Sequence, residues 1–314
     1  MNKKPLVVLT GPTAVGKTDL SIALAKSIGG EIISADSMQV YKKMNIGTAK
    51  IKPEEMCGVP HYLIDVLDPS EDFNVVIFKQ MALSAMDQIY SHGHIPIIVG
   101  GTGFYIQALL YDIQFEENDD DMEYRAYLAQ LAEEKGNAFI HTMLEEVDKK
   151  AAEKIHPNNI KRVIRALEFY KKTGRPISEH NAEESARPSP YNYEYFVLND
   201  HRDKLYDRID RRVDMMLEEG LVTEVEKLYK EGYHKNLISM QGLGYKEILD
   251  YLEGNISLDD AVYILKRDTR HFAKRQLTWF KRERDITMIN KYEYENNQQI
   301  IDDMIKKLKE KDII

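Results

Sequence analysis

At 314 residues, with 43% hydrophobic and 30% charged side chains, the chain suits one large domain or two modest ones and can bury a core without covalent staples. Its only cysteine, Cys57, excludes an internal disulfide framework and any cysteine-based cluster, and points to a reducing compartment, the cytoplasm. The 43 basic and 52 acidic side chains give a net charge of −9, which neither argues for nucleic acid nor excludes it, because binding depends on where basic residues cluster.

The opening residues MNKKPLVVLTGP do not read as a signal peptide, since Gly11 and Pro12 cut the apolar run short, and no stretch approaches a membrane span. Residues 6–10 predict a buried strand. GPTAVGKT follows at 11–18, and then an amphipathic helix carrying Leu20, Ile22, Leu24 and Ile28. EIISADS predicts a second strand ending at Asp36. IPIIVGGTGFYIQALLY predicts a third, over 95–99, turning through glycines into a helix. Strand, glycine turn and helix in repetition predict a parallel sheet with crossover helices, with ligands at the carboxyl ends of the strands. Gly11–Thr18, Asp36 and Thr102 should therefore converge on one crevice.

An acidic run, FEENDDDMEY, begins near residue 114 and reads as a solvated linker. From there to about 190 only helical patterning is visible. It is clearest in PNNIKRVIRALEFYKKTGRP, with Asn158 or Asn159 as cap, an apolar stripe of Ile160, Val163, Ile164 and Leu167, and Gly174 and Pro176 as stop. EYFVLN returns to the sheet, the chain from Leu205 is mostly helical, ITMIN at 286–290 predicts a last strand, and the tail a short amphipathic helix. The expected fold is α/β: a P-loop NTPase-like parallel sheet flanked by helices (1–113 plus 191–314) with an all-helical insertion domain (114–190).

The pattern G-x-x-x-x-G-K-[ST] between a strand and a helix is a phosphate cradle. Backbone N–H groups around Ala14–Lys17 and the helix N-terminus meet phosphate oxygens, Lys17 adds a point charge, and Thr18 offers its hydroxyl to Mg²⁺. The identity of the phosphate ester stays open. IPIIVGG carries no carboxylate for the metal of an ATPase, Asp65 in YLIDV has no partner motif, and no guanine signature is present. Asp36 either caps the following turn, as Ser37 also could, or accepts a proton from a nucleophile attacking beside the phosphate; position supports both equally. Arg208 and Arg212 share a helix face, either in surface ion pairs or as a pair aimed at an anion.

Basic residues gather at Lys161, Arg162 and Arg165, and again in KRDTRHFAKRQLTWFKRER at 266–284. In the second stretch Phe272 and Trp279 are expected in the core and the arginines on RNA or a phosphate.

In combination, GPTAVGKT, SADSMQVYKKMNIGTAK, HYLIDVLDP, IPIIVGGTGFYI, IHPNNIKRVIRALE, QGLGYKEI and AKRQLTWF, in that order over nearly the whole length, resemble the tRNA dimethylallyltransferase (tRNA isopentenyltransferase) family. The resemblance implies transfer of a dimethylallyl group from its diphosphate to N6 of the adenosine beside the anticodon, position 37. It implies that the cradle holds a prenyl diphosphate rather than a triphosphate. On it, Gly11, Pro12, Thr13, Ala14, Val15, Gly16, Lys17 and Thr18 bind the donor diphosphate, with Thr18 on the Mg²⁺ side, Arg212 as a further ligand and Arg208 assisting. Asp36 is the expected base, and Asp36, Lys17 and Arg212 together form the catalytic set.

The tRNA path implied by the resemblance runs along Asp36, Ser37, Met38 and Gln39, then Thr102 and Arg125. It continues over Lys161, Arg162, Val163, Ile164 and Arg165, and over Gln241, Gly242, Leu243, Gly244, Tyr245 and Lys246. The insertion would clamp the anticodon stem-loop. Implied partners are tRNA and dimethylallyl diphosphate with Mg²⁺ and no membrane, in an expected monomer. Asn45 stands where an Asp is common in the family. The rival readings are a small-molecule P-loop kinase, which leaves the 266–284 stretch without a task, an RNA-binding NTPase switch, and prenylation of free adenine nucleotides.

Overall fold

The computed structural model describes residues 3–115 and 122–314. The middle of the acidic run expected as a linker, 116–121, lies outside the described residues. The chain divides into two compact units, one of residues 1–110 with 190–314 and one of 111–189.

The first unit opens with β1 (Lys4–Thr10), α1 (Lys17–Ile28), β2 (Gly30–Ala35), β3 (His61–Tyr62), α2 (Val75–Ser91), β4 (Ile95–Gly100) and α3 (Gly103–Leu110). The second unit holds α4 (Met122–Lys135), α5 (Asn137–Val147), α6 (Lys149–Lys154), α7 (Ile160–Thr173) and α8 (Ile177–Ala186). The chain then re-enters the first unit through β5 (Tyr191–Asn199), α9 (Arg202–Glu218), α10 (Leu221–Lys230), α11 (Tyr245–Leu252), α12 (Leu258–Phe280), β6 (Ile286–Asn290) and α13 (Asn297–Glu310).

The six strands form one parallel sheet in the order β3-β2-β4-β1-β5-β6. Central strands covered on both faces need unbroken apolar runs. β1 supplies Leu6–Leu9 and β5 supplies Tyr195–Leu198, all fully buried. One face packs Val7, Leu9, Ile32, Phe196 and Leu198 with Leu20 and Leu24 of α1 and Ile300 and Met304 of α13. The register sets Thr10 of β1 opposite Gly100 of β4, and Gly100 opposite Ala35 of β2. Gly11, Asp36 and Gly101 therefore leave the sheet side by side.

In the second unit Leu128, Ile140, Leu144, Val163 and Leu167 form a separate core. Buried Asp148 ties it together, accepting from the Ala151 N–H at 2.9 Å and from the Ser178 N–H and hydroxyl at 2.8 and 2.6 Å. α7 ends at Gly174 in the left-handed region, at φ 68°. Its N-cap, Asn159, makes no side-chain cap bond, contrary to the capping expectation: its φ/ψ of −89°/61° departs from the extended geometry that aims a cap. Among the described residues no helix is long and apolar enough to cross a membrane.

Candidate functional site

β1 delivers the loop 11–16 to α1. The N-cap Gly16 has φ 91° and no side chain, so the first N–H groups of α1 have no side-chain cap and remain available to an anion. Lys17 lies back across the loop, its amine donating to the carbonyls of Gly11 and Pro12 at 3.0 and 2.9 Å. Lys17 as a whole is half-buried, with its amine drawn in against these carbonyls. Burial and, after it, the nearby Arg212 charge lower its pKa, Asp36 opposes both, and the net value is about 8. These three side chains thus feel one another's charge. A ligand-free Lys17 of pKa about 8 is protonated below that pH and neutral above it. Affinity for a diphosphate should accordingly fall as pH rises from 7 to 9. Titration of the wild type should give a dissociation constant that climbs through pH 8, while Lys17→Ala should bind weakly throughout without that inflection.

Asp36 begins the loop after β2. Its Oδ1 accepts from the Met38 and Gln39 N–H groups at 2.8 and 3.3 Å, whereas Oδ2 makes no hydrogen bond among the described residues. The capping reading is realised by Oδ1, which holds the turn. Thr102 is placed by its N–H on the Ala35 carbonyl at 3.2 Å. Asp36, the loop 11–18 and Thr102 do share the carboxyl edge of β1, β2 and β4.

The two arginines of α9 divide. Arg208 is paired with Asp200 at 2.5 Å. Arg212, half-buried, has no hydrogen bond or ion pair among the described residues. Burial depresses its pKa and only the charge of Asp36 opposes this. A guanidinium held away from water without a partner is costly unless an anion meets it. Arg212 lines a cavity of about 420 Å³ together with Thr18, Asp19, Ser34, Gln39 and Met215. The loop 45–49 walls the same cavity. Glu224 pins it by accepting the N–H groups of Asn45, Ile46 and Gly47 at 2.9, 2.9 and 3.1 Å. Asn45, the departure from the family pattern, accepts from the Lys50 amine at 3.0 Å.

Several other expected contact residues are otherwise engaged. Tyr245 is fully buried and donates to Glu224 at 2.7 Å, and Gly244 is buried as the N-cap of α11, so this pair supports the wall formed by the loop 45–49. Gln241 is exposed, Gly242, Leu243 and Lys246 are half-buried, and Lys246 lies 3.3 Å from the Glu247 carboxylate. Ser37 and Met38 are half-buried in the Asp36 turn. In the second unit Val163 and Ile164 belong to the core, leaving Lys161, Arg162 and Arg165 exposed on α7. Arg125 is bound to Glu168 through two nitrogens at 2.8 and 3.1 Å.

The basic stretch of α12 is only partly available. Lys266 and Arg270 pair with Asp214 and Asp210 of α9 at 2.5 Å each, and Arg267 with Asp268 at 2.8 Å. The first two pairs fasten α12 to the helix bearing Arg212, and the third lies within α12. Lys274, Lys281 and Arg282 are exposed without an ion pair among the described residues. Trp279 is 37% exposed, not in the core as expected. It lies edge-on to Phe104 and so close to Gly103 that a Cβ there would come within 2.3 Å of the indole. The buried stripe of α12 runs instead through Leu265, Ala273, Gln276 and Phe280.

Gln276 is the residue that sequence reasoning missed. Its Oε1 accepts from the Thr13 N–H of the cradle at 2.9 Å, and its Nε2 donates to the Gly101 carbonyl at 3.0 Å. One side chain thereby joins the loops after β1 and β4. A polar residue on an otherwise apolar helical stripe was the available signal. Gln276→Leu leaves both backbone groups without this partner, an expected loss of about 1–3 kcal/mol in chemical denaturation. Donor affinity should fall with it, because the cradle loses its brace; Gln276→Glu, which keeps the acceptor, should lie between.

A parallel sheet with a P-loop at its carboxyl edge, and beside it an arginine and an aspartate oxygen without partners among the described residues, define a protein of the phosphate-ester-binding class. The family models IPP transferase and Isopentenyl transferase match residues 39–283 and 4–71. The chain is 62% identical over 311 residues to a tRNA dimethylallyltransferase of Lachnoclostridium phytofermentans, covering 99% of both. It is 55% identical to one of Acetivibrio thermocellus, covering 94% of this chain and 95% of the relative. Among solved structures it is similar to a full-length tRNA isopentenylpyrophosphate transferase of Bacillus halodurans, with a TM-score of 0.74, 45% identity and 99% and 98% of the two chains covered. A eukaryotic dimethylallyltransferase acting on tRNA gives 0.82 at 33% identity, over 97% of this chain and 80% of that one. The chain belongs to the IPP transferase family.

Proposed function

We propose that this chain transfers the dimethylallyl group of dimethylallyl diphosphate to N6 of adenosine 37, beside the anticodon of tRNA, giving N6-isopentenyladenosine and diphosphate. The observation that carries the reading is Arg212, a half-buried guanidinium without a partner beside Lys17 and the uncapped start of α1. A diphosphate supplies the charge that all three lack. The cradle N–H groups, Lys17 and Arg212 then take up the negative charge that grows as the allylic C–O bond breaks. N6 forms the new C–N bond, and its surplus proton passes to Asp36, whose Oδ2 is free to accept it while Oδ1 keeps the turn in place. The adenine must leave its stack to reach the site, at roughly a few kcal/mol, least in a loop.

Mg²⁺ fits the donor set beside the cradle, which offers oxygen ligands: the Thr18 hydroxyl makes no hydrogen bond among the described residues, and Thr18 lines the cavity with Asp19 and Ser34. When bound, it would supply charge neutralisation to the departing diphosphate. In the second unit the exposed cations Lys161, Arg162 and Arg165 suit the phosphates of an anticodon stem; in the first unit Lys274, Lys281 and Arg282 are exposed cations of the same chemistry. The single free cysteine, Cys57, is consistent with a cytoplasmic protein. A P-loop kinase is the weaker reading. β4 ends in glycine and Asp65 is bound to Lys50 at 2.5 Å, so neither offers the carboxylate that phosphoryl transfer requires. Equilibrium binding separates the two: dimethylallyl diphosphate should displace a fluorescent prenyl diphosphate analogue at lower concentration than ATP does, and the reverse order would favour the kinase.

A further inference from the structure

Glu31, His92 and His94 meet at the opposite edge of the sheet from the cradle. Glu31 is the second residue of β2 and Asp36 follows that strand's end, which places the cluster about 16 Å from the chemistry at the rise of a strand. Glu31 is 2% exposed and has no lysine or arginine partner among the described residues. Its Oε2 accepts from the Tyr62 hydroxyl at 2.6 Å. Its Oε1 faces two imidazole nitrogens, Nδ1 of His92 at 2.9 Å and Nδ1 of His94 at 2.6 Å. The three donor atoms lie within 4.8 Å of one another.

The backbone explains how two imidazoles reach one oxygen. His92 ends α2, its N–H on the Gln88 carbonyl at 3.1 Å, and the His94 N–H bonds Ile89 at 3.1 Å. Gly93 between them takes φ 74°, the left-handed region, where an added Cβ would meet nothing. Glycine is therefore required for the turn and not for space. The turn brings both rings over the buried carboxylate, while their outer sides stay near half exposed. Burial pushes the Glu31 carboxyl up, but the bonds from Tyr62, His94 and His92 outweigh it and hold the group ionised below its usual range.

We propose that Glu31, His92 and His94 form a binding site for a divalent transition-metal ion of the zinc class. Two imidazoles and a carboxylate are a zinc ligand set, and the open outer side leaves a position for water. Tyr62 holds the carboxylate from behind, the usual place of a residue that orients a metal ligand. At zinc bond lengths tetrahedral ligand atoms sit about 3.3 Å apart. The two N···O separations, 2.9 and 2.6 Å, need to widen by about 0.4 and 0.7 Å. On binding, each ring carries its remaining proton on Nε2, towards water, and no net proton is released from neutral imidazoles. The ion would join the end of α2 to the starts of β2 and β4, so its effect falls on stability and not on transfer.

The test uses the full chain after dialysis against EDTA. Added Zn²⁺ should bind in calorimetry at one ion per chain and raise the melting temperature by several degrees, saturating with that stoichiometry. Co²⁺ should give the visible absorption of a four-coordinate site. The double variant His92→Asn, His94→Asn should lose the calorimetric site, the thermal shift and the Co²⁺ spectrum, and keep the wild-type transfer rate. Glu31→Gln, if it folds, should lose the Co²⁺ spectrum as well. No saturable binding by the parent, or binding and spectrum retained in the double variant, would overturn the proposal.

Discussion

Asp36→Ala is expected to lower the turnover rate by roughly 10²–10⁴, the usual worth of a positioned proton acceptor, while the dissociation constant of the donor changes little. Asp36 touches the donor side only through its charge on Lys17 and Arg212, whereas its free Oδ2 is the proton-accepting atom. Asp36→Asn is the more informative partner variant. It keeps an oxygen for the Met38 and Gln39 N–H groups, so the turn survives and the loss of rate isolates proton transfer from loop geometry. Single-turnover kinetics beside donor binding separate the two effects. Weakened donor binding with turnover intact would remove Asp36 from the chemistry.

Arg212→Ala is expected to lower kcat/KM by roughly 10²–10³, because a preorganised cation facing the developing diphosphate charge is lost. Unlike Asp36, it should weaken donor binding too, since the charge already meets the ground-state diphosphate. The same change should leave the melting temperature of the ligand-free protein unchanged or raise it. The folded chain holds this guanidinium partly away from water with no counter-ion, so its removal relieves a cost. Arg208→Ala should do the opposite: it strands Asp200, which is 7% exposed in its side chain, and should destabilise the fold while affecting the donor less. A differential scan and a donor titration on both variants check the pair. An Arg212→Ala protein that is markedly less stable yet binds donor normally would assign Arg212 to structure.

The parts legible in the sequence are those whose cause is local. β1, β2, β4, β5 and β6 are announced by apolar runs, and the cradle by glycine and lysine at fixed spacing between a strand and a helix. Their convergence follows from the rule for parallel sheets. β3 has two residues and no apolar run, so nothing marks it in the sequence. The stripe of α12 was misplaced because Phe272 and Trp279 outweigh Ala273 and Gln276 in hydrophobicity. The true stripe is set by a glutamine needed by two distant loops, and Trp279 is drawn outward by the gap at Gly103. Which arginines are free was likewise invisible. Lys266 and Arg270 differ from Lys274 only in the carboxylates that α9 sets opposite them, and Arg212 differs from Arg208 only in lacking an Asp200. Val163 and Ile164 stand in the contiguous motif implied for the tRNA path, but the 3.6-residue period of α7 carries this adjacent pair onto the buried face and leaves Lys161, Arg162 and Arg165 exposed.

Transfer of label from dimethylallyl diphosphate tests the central claim most directly. The enzyme is incubated with Mg²⁺, labelled donor and unmodified tRNA, with AMP and ATP in parallel. Label on tRNA alone, located at the adenosine beside the anticodon, is the predicted result. Label on AMP, or hydrolysis of ATP with none on tRNA, would contradict it, and would mean that the cradle between β1 and α1 and the unpartnered Arg212 serve a different phosphate ester.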